Sequence, residues 1–369
     1  MLRSVGVEEE LLLVDPGTGR ALDRAPAVLR AASGTDRLAG DGPGGTVEHE
    51  LQRQQIEIDT TPHTSLHELA AELREQRRRL AELAASQGVA PAALATSPLP
   101  VVPATTADDR YEDMVRLYGP TGWEQLVCGT HVHVWVDGDE EAVAVLDRIR
   151  PWLATMSALS ANSPYWQGRD TTYESFRSHV WSRWPTAGPP EAFGTPQRYR
   201  AAVAALVATG AVLDDGMIYW EARLGRGYPT VEIRVGDVCT DAGVPVLLAA
   251  LCRALVDTAA DQWRAGGPAP DAPTELLRLA SWRAARSGLT GELVHPLRFV
   301  PAAAWQVVDL LREHVDAALV RNGDAGLVDS QLHRIRADGT GSARQRSVFA
   351  AAGELAAVVR DAVQRTVST

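Results

Sequence analysis

Three stretches of this chain alternate apolar and polar residues with period two: Val5 to Asp15, Gly129 to Val136 and Thr230 to Val235. Successive side chains of an extended strand point to opposite faces. In the first stretch Glu8 and Glu10 therefore oppose Val5, Val7, Leu11 and Leu13. In the second His131, His133 and Trp135 oppose Val132, Val134 and Val136, and in the third Glu232 and Arg234 oppose Val231, Ile233 and Val235. A sheet with one wet face produces such alternation by itself. The recurrence of Glu-x-Glu, His-x-His and Glu-x-Arg, with hardly any Ser, Thr or Lys among them, instead marks a site.

Carboxylates held side by side repel, so they persist only if solvated, protonated or neutralised by cations. Here carboxylates outnumber imidazoles, which favours Mg²⁺ or Mn²⁺ over zinc. Arg234 beside Glu232 adds a fixed cation suited to a phosphate oxygen. Glu9 has the parity of Val7 and Leu11, so a salt bridge to an arginine is expected for it rather than catalysis. A fourth segment, Thr46 to Thr61, also reads as a strand and is ended by Pro62. Glu48 and Glu50 share parity, but Glu57 lies an odd number of residues away. If Glu50 and Glu57 both face a metal, a bulge or bend separates them.

What the chain lacks is informative. It contains no lysine, and all 36 cations are arginine. Phosphate-loop NTPases, protein kinases, Schiff-base enzymes and Ser-x-x-Lys acyl enzymes each need a lysine and are excluded. A net charge of -11 argues against nucleic acid or an anionic membrane surface as partner. Cys128, Cys239 and Cys252 lie far apart without zinc-ribbon or Cys-x-x-Cys spacing and read as free thiols of a reducing compartment. No basic-then-apolar leader is visible, and the apolar run Val244 to Leu251 falls short of the ~18 residues a membrane span needs. A cytoplasmic protein is expected.

Along the chain, a short helix is expected at Pro26 to Ser33, followed by a loop to about Gly45. Leu66, Leu69, Leu73, Leu80 and Leu83 mark one stripe of an amphipathic helix, with Arg and Glu on a solvated face. Pro91 to Gly122 reads as loop. Val143 to Leu159 has helical spacing and a core-facing stripe. An aromatic- and Arg-rich loop runs from Asn162 to Gly194. Gln197 to Thr209 is predicted as a helix, and Met217–Leu224 with Thr230–Val235 as a hairpin about Gly225 to Pro229. Helices are predicted at Val244 to Trp263, Thr274 to Ser287, Pro301 to Val320 and Ser342 to Val367. With neither repeat nor long linker, residues 1–369 read as one α+β domain with a largely antiparallel sheet.

Six blocks together resemble the glutamate-cysteine ligase type 2 family, the carboxylate-amine ligases of the YbdK type. They are Gly6 to Leu11, Cys128 to His133, Asn162 to Asp170, Arg183 to Pro190, Pro229 to Val235 and Arg283 to Leu289. The resemblance implies a glutamine synthetase-like fold, a curved antiparallel sheet with helices on its convex side and ATP with divalent ions on its concave face. It implies metal ligands at Glu8, Glu10, Glu50, Glu57, His131 and Glu232, and a phosphate contact at Arg234. His133 is a substrate or supporting catalytic group by the same reading. In the Asn162–Gly194 loop, Trp166 and Arg169 are candidates for the substrate carboxylate, and Arg286 for phosphate. The implied chemistry joins a carboxylic acid, glutamate by default, to an amine, cysteine by default, through an acyl phosphate. Glu221 departs from the family, where Asp is more usual, as does the wording Thr60-Thr61-Pro62-His63. A metal-dependent hydrolase, and an ATP-binding regulator that has lost turnover, are the alternatives. A homo-oligomer such as a dimer is compatible with open sheet edges.

Overall fold

The computed structural model of the protein describes residues 2–33 and 44–368. Nine strands concern the site: β1 Val5–Val14, β2 Val47–His49, β3 Gln55–Asp59, β4 Ala90–Ala92, β5 Gly129–Trp135, β6 Tyr165–Trp166, β7 Arg169–Asp170, β8 Ala222–Leu224 and β9 Thr230–Asp237. The main sheet is ordered β2-β3-β1-β5-β9-β8, with β4 also pairing β1, and every pairing is antiparallel. It is open, not closed into a barrel.

Period two decides the two faces. Val5, Val7, Val132, Val134, Val231 and Ile233 share one core cluster beneath the sheet. Each such side chain contributes roughly 1.5–3 kcal/mol on full burial. In chain order the helices up to α10 are α1 Ala25–Ser33, α2 Leu66–Ser86, α3 Asp109–Tyr118, α4 Pro120–Trp123, α5 Gly138–Ile149, α6 Leu153–Leu159, α7 Phe176–Trp181, α8 Pro196–Ala208, α9 Gly243–Arg264 and α10 Thr274–Ser287. Of these, α2, α5, α6 and α9 supply Leu66, Leu69, Leu73, Val143, Leu146, Met156 and Leu251 to the cluster. Helix α9 is long and apolar enough to cross a bilayer, more so than its apolar run predicts, but its apolar window is 89% buried within the protein.

Several expectations change. The predicted Thr46–Thr61 strand is a hairpin: a turn through Arg53 and Gln54 separates β2 from β3, whose register pairs Glu48 with Glu57. That turn removes the parity conflict, because Glu50 lies between the strands rather than on one. Of the loop expected up to about Gly45, residues 34–43 lie outside the described residues. Helix α2 starts on Ser65, whose side chain accepts from the Glu68 amide. Its arginine face is not all solvated, since Arg77 is fully buried. Pro91 to Gly122 holds α3 and α4, and the Val143–Leu159 helix breaks into α5 and α6 at Pro151. The hairpin strand starts at Ala222, not Met217, and a helix at Ala325–Asp338 joins those predicted near the C-terminus.

Candidate active site

The polar face carries a ladder across five strands. Cross-strand partners run Glu10 with Glu57, Glu8 with His131, His133 with Glu232, and Glu232 with Arg223 on β8. Side chains of such partners stand side by side on one face. The register shifts between Thr130 and Val132, where β9 holds one residue more than β5 opposite His131. A bulge of this kind bends a strand and re-aims a side chain, and Arg234 is one of the residues within it.

Two groups of ligand atoms result, each with all atoms within 4.8 Å of one another: Glu8, His133 and Glu232, and Glu10, Glu50 and Glu57. The geometry thus brings His133, rather than His131, together with Glu8 and Glu232. His133 Nε2 lies 2.9 Å from Glu8 Oε1, yet is buried without a hydrogen bond. His131 Nδ1 meets Glu8 Oε2 at 3.0 Å, and its Nε2, 3.9 Å from Glu10 Oε1, is likewise buried and unbonded. Buried imidazole nitrogens without hydrogen bonds, among converging carboxylates, fit a divalent cation of the hard, oxygen-preferring kind.

The charges follow the same pattern. Five carboxylates, Glu8, Glu10, Glu50, Glu57 and Glu232, line the cleft with Arg110, Arg223, Arg226 and Arg234. Arg110 and Arg226 are already paired with Asp214 and Asp215, so the cleft is acidic. Burial, reinforced by Glu50, pushes Glu10 up to about 7. Burial also pushes Glu57 well above the carboxylate range, with Glu8 and Glu50 adding to it. Glu232 goes the other way: burial opposes ionisation, but Arg234 and Arg223 hold it down to about 2. Burial likewise works against Glu8, which His133 and His131 nevertheless keep well below its usual value. Burial and the nearby Arg234 lower His131 to about 4, a neutral ring able to act as ligand.

Arg234 is fixed from two sides, by a short contact to Glu232 and by the ring of Trp181 5.6 Å away. Arg177, buried on α7, lies over the same ring, also at 5.6 Å. It passes behind Gly129, where an added Cβ would fall 2.2 Å from its Nη2, so a side chain at that position would displace the guanidinium. Sequence reasoning noticed Arg177 only as one arginine of a loop, and it missed Arg223. Arg223 Nε donates to Glu232 at 2.6 Å; the signal was a second Glu-x-Arg, Glu221-Ala222-Arg223.

Three expected substrate or phosphate residues do not reach the cleft. Trp166 and Arg169 form the small β6–β7 hairpin, Arg169 being exposed and Trp166 packed on Phe176. Arg286 is spent on the Thr172 carbonyl and the Tyr173 ring. None of the three lines the acidic cleft or the cavity beside it.

The open antiparallel sheet thus presents one face of carboxylate, imidazole and guanidinium groups. The model of glutamate-cysteine ligase family 2 matches residues 4–361. A protein of Streptomyces coelicolor named provisionally as glutamate-cysteine ligase 2 is 51% identical over 365 residues, 99% of each chain. A Streptomyces avermitilis counterpart is 50% identical with the same coverage. The chain belongs to glutamate-cysteine ligase family 2. Among solved structures, a glutamate-cysteine ligase of Francisella tularensis in complex with AMP is similar in fold, with TM-score 0.69 and 13% identity over 100% of this chain and 90% of that one. The bifunctional glutathione synthetase of Pasteurella multocida gives TM-score 0.71 and 16% identity over 99% of this chain and 52% of that one.

Proposed function

We propose that the protein is an ATP- and Mg²⁺-dependent (or Mn²⁺-dependent) carboxylate-amine ligase, working in the cytoplasm on small-molecule acids and amines as one catalytic domain, with glutamate and cysteine as default substrates. The observation that carries this reading is the pair of ligand groups flanked by Arg234 and Arg177. Glu8, His133 and Glu232 would hold one ion, and Glu10, Glu50 and Glu57 a second, with His131 between them. Ions held there would supply charge neutralisation at the terminal phosphate of ATP. Arg234, fixed by Glu232 and Trp181, meets phosphate oxygens, and Arg177 adds positive charge behind it. The substrate carboxylate attacks the γ-phosphorus, giving an acyl phosphate and ADP. The amine then forms the amide and releases phosphate. No side-chain nucleophile is needed, in keeping with three buried cysteines and a chain without lysine.

ADP release is to be measured with glutamate and a panel of amines, with products identified by mass spectrometry. Amide formation coupled to ADP, and dependent on Mg²⁺ or Mn²⁺, is expected. Metal-dependent activity without any ATP requirement would replace this reading with hydrolysis.

A further inference from the structure

The bulge in β9 does more than re-aim Arg234. Asp237 follows Glu232 at an odd spacing, which would put the two on opposite faces of a regular strand. Because β9 carries one extra residue opposite His131, Asp237 instead pairs with Gly129, which has the parity of His131 and His133 on β5. Asp237 therefore ends the polar row of His133, Glu232 and His131, yet it belongs to neither ligand group. Its carboxylate is buried and is taken up by the segments that lead into α7.

Three neutral donors meet it. The Asn162 amide and the Ser163 hydroxyl donate to Oδ2 at 2.8 and 2.7 Å, and the Ser175 hydroxyl donates to Oδ1 at 2.8 Å. Asn162, Ser163 and Ser175 are fully buried, and Ser163 and Ser175 also bridge along the backbone. One side chain of the sheet thus ties two chain segments together. A carboxylate suits this post because it only accepts, at two oxygens, so no donor is turned against another. Burial pushes Asp237 up, and Arg177 is the charged group that acts against it.

From here the connection to Arg177 takes one step. Ser175 caps α7, its side chain accepting from the Ser178 amide, and Ser163 Oγ accepts from the Arg177 amide at 3.0 Å. The Arg177 guanidinium stands behind Gly129, the cross-strand partner of Asp237. There it is held loosely: Nη2 reaches the Arg234 carbonyl at 3.4 Å, and Nε is buried without a hydrogen bond. Its place is set mainly by the backbone that carries it.

We infer that Asp237 is a positioning residue: by pinning the start of α7 to the end of β9, it sets where Arg177 stands, together with the Trp181 ring that Arg177 and Arg234 share. Asp237 lines neither the acidic cleft nor the cavity beside it, so it acts through these side chains and not on a substrate. That turnover depends on this placement rests on the ligase reading; the placement itself does not.

Hydrogen exchange of the full chain, read by mass spectrometry, reports the placement without any activity. In Asp237→Ala, residues 162–181 should lose protection while β1 keeps its own. Asp237→Asn should restore most of it, since its Oδ1 can take the Asn162 amide and the Ser163 hydroxyl while Nδ2 donates to Ser175 Oγ. ADP release reads the consequence. Asp237→Ala should lower kcat on the order of 10²-fold, the cost of a displacement of about 1 Å, and Asp237→Asn should recover most of that loss. In an Arg177→Ala background Asp237→Ala should cost little more, because the residue through which it acts is gone. Unchanged exchange over 162–181 in Asp237→Ala, an Asp237→Asn variant as impaired as Asp237→Ala, or equal losses in the two backgrounds overturns the inference. If Asp237→Ala does not fold, Ser175→Ala, which removes one of the three donors, carries the exchange and background comparisons with the same criteria. Wild-type protein without ADP release defeats the ligase reading alone and leaves exchange to decide the placement.

Discussion

Glu9 and Glu10 are neighbours on β1, yet they live in opposite electrostatic settings. Glu9 faces the core, where Arg77 closes on it with Nε at 2.7 Å and Nη2 at 2.6 Å, both side chains fully buried. Two further guanidinium hydrogens go to the Cys239 and Thr240 carbonyls. Glu10 faces the cleft, where its nearest bonded partner is the Gly129 amide at 2.6 Å and Glu50 and Glu57 share its ligand group. One charge is matched within the fold; the other is left for something that arrives from outside. A buried charge with its counter-charge in place serves structure, whereas buried like charges gathered without enough counter-charge mark a binding site.

The sharpest test swaps neighbours. Glu10→Gln keeps an oxygen for the Gly129 amide but removes a ligand charge, so turnover should fall on the order of 10⁴-fold without any drop in the unfolding midpoint. Glu8→Gln should behave similarly in the same ADP-release assay. Near-normal turnover in either would take that residue off the ligand list.

Glu9→Gln should do the reverse. It strands Arg77 in the interior, which costs about 3–5 kcal/mol. Urea unfolding should show this loss, while turnover per folded molecule stays close to wild type. A Glu9→Gln variant as stable as wild type would erase the contrast between the two faces.

How much of this was legible depends on how local the signal is. Period-two alternation set β1, β5 and β9 and the faces of Glu8, His133, Glu232 and Arg234, because a strand side is fixed by parity alone. Glu9's arginine partner was foreseeable in kind, but not as Arg77, because a helix stripe read by its leucines treats the opposite arginines as one solvated group. The β2–β3 turn was hidden, since Leu51-Gln52-Arg53-Gln54 lacks the Gly, Pro or Asn that usually marks a turn. Arg169 and Trp166 were misplaced for a different reason. Composition identified a loop able to grip an anion but not the direction it faces, and α-helical Arg346 from the C-terminal region ties that loop down through Asp170 and Glu174.

A smaller effect separates the faces by ligand. A divalent ion that binds only the folded state stabilises it by about 2.7 kcal/mol at a concentration 100 times its Kd. Thermal unfolding should therefore shift upward with Mg²⁺ in wild type, much less in Glu10→Gln, and by the wild-type increment in Glu9→Gln despite its lower starting point. An equal shift in all three proteins would show that the ion binds elsewhere.

The smallest expected effect is the pH slope. Glu10 is raised to about 7 and Glu57 well above its usual value, chiefly by burial. A carboxyl whose folded value exceeds its unfolded one contributes stability below the unfolded value and loses it as pH rises through the folded value. His133, which Glu8 raises against the opposing effect of burial, acts with the same sign. His131, lowered to about 4, acts oppositely but has finished titrating in both states a little above its ordinary 6.5. Glu232, held at about 2, loses its contribution only in acid. Between about pH 7 and pH 8, then, metal-free protein should lose on the order of 1 kcal/mol of unfolding free energy. Glu10→Gln should show a shallower slope and Glu9→Gln the wild-type slope, because Arg77 already answers Glu9. Saturating Mg²⁺ should flatten the wild-type slope, since cations supply the charge that protons otherwise provide. Urea titrations in chelator and in Mg²⁺ measure both, and a metal-free stability that rises across this interval would contradict the assignment of Glu10 and Glu57 as under-compensated acids.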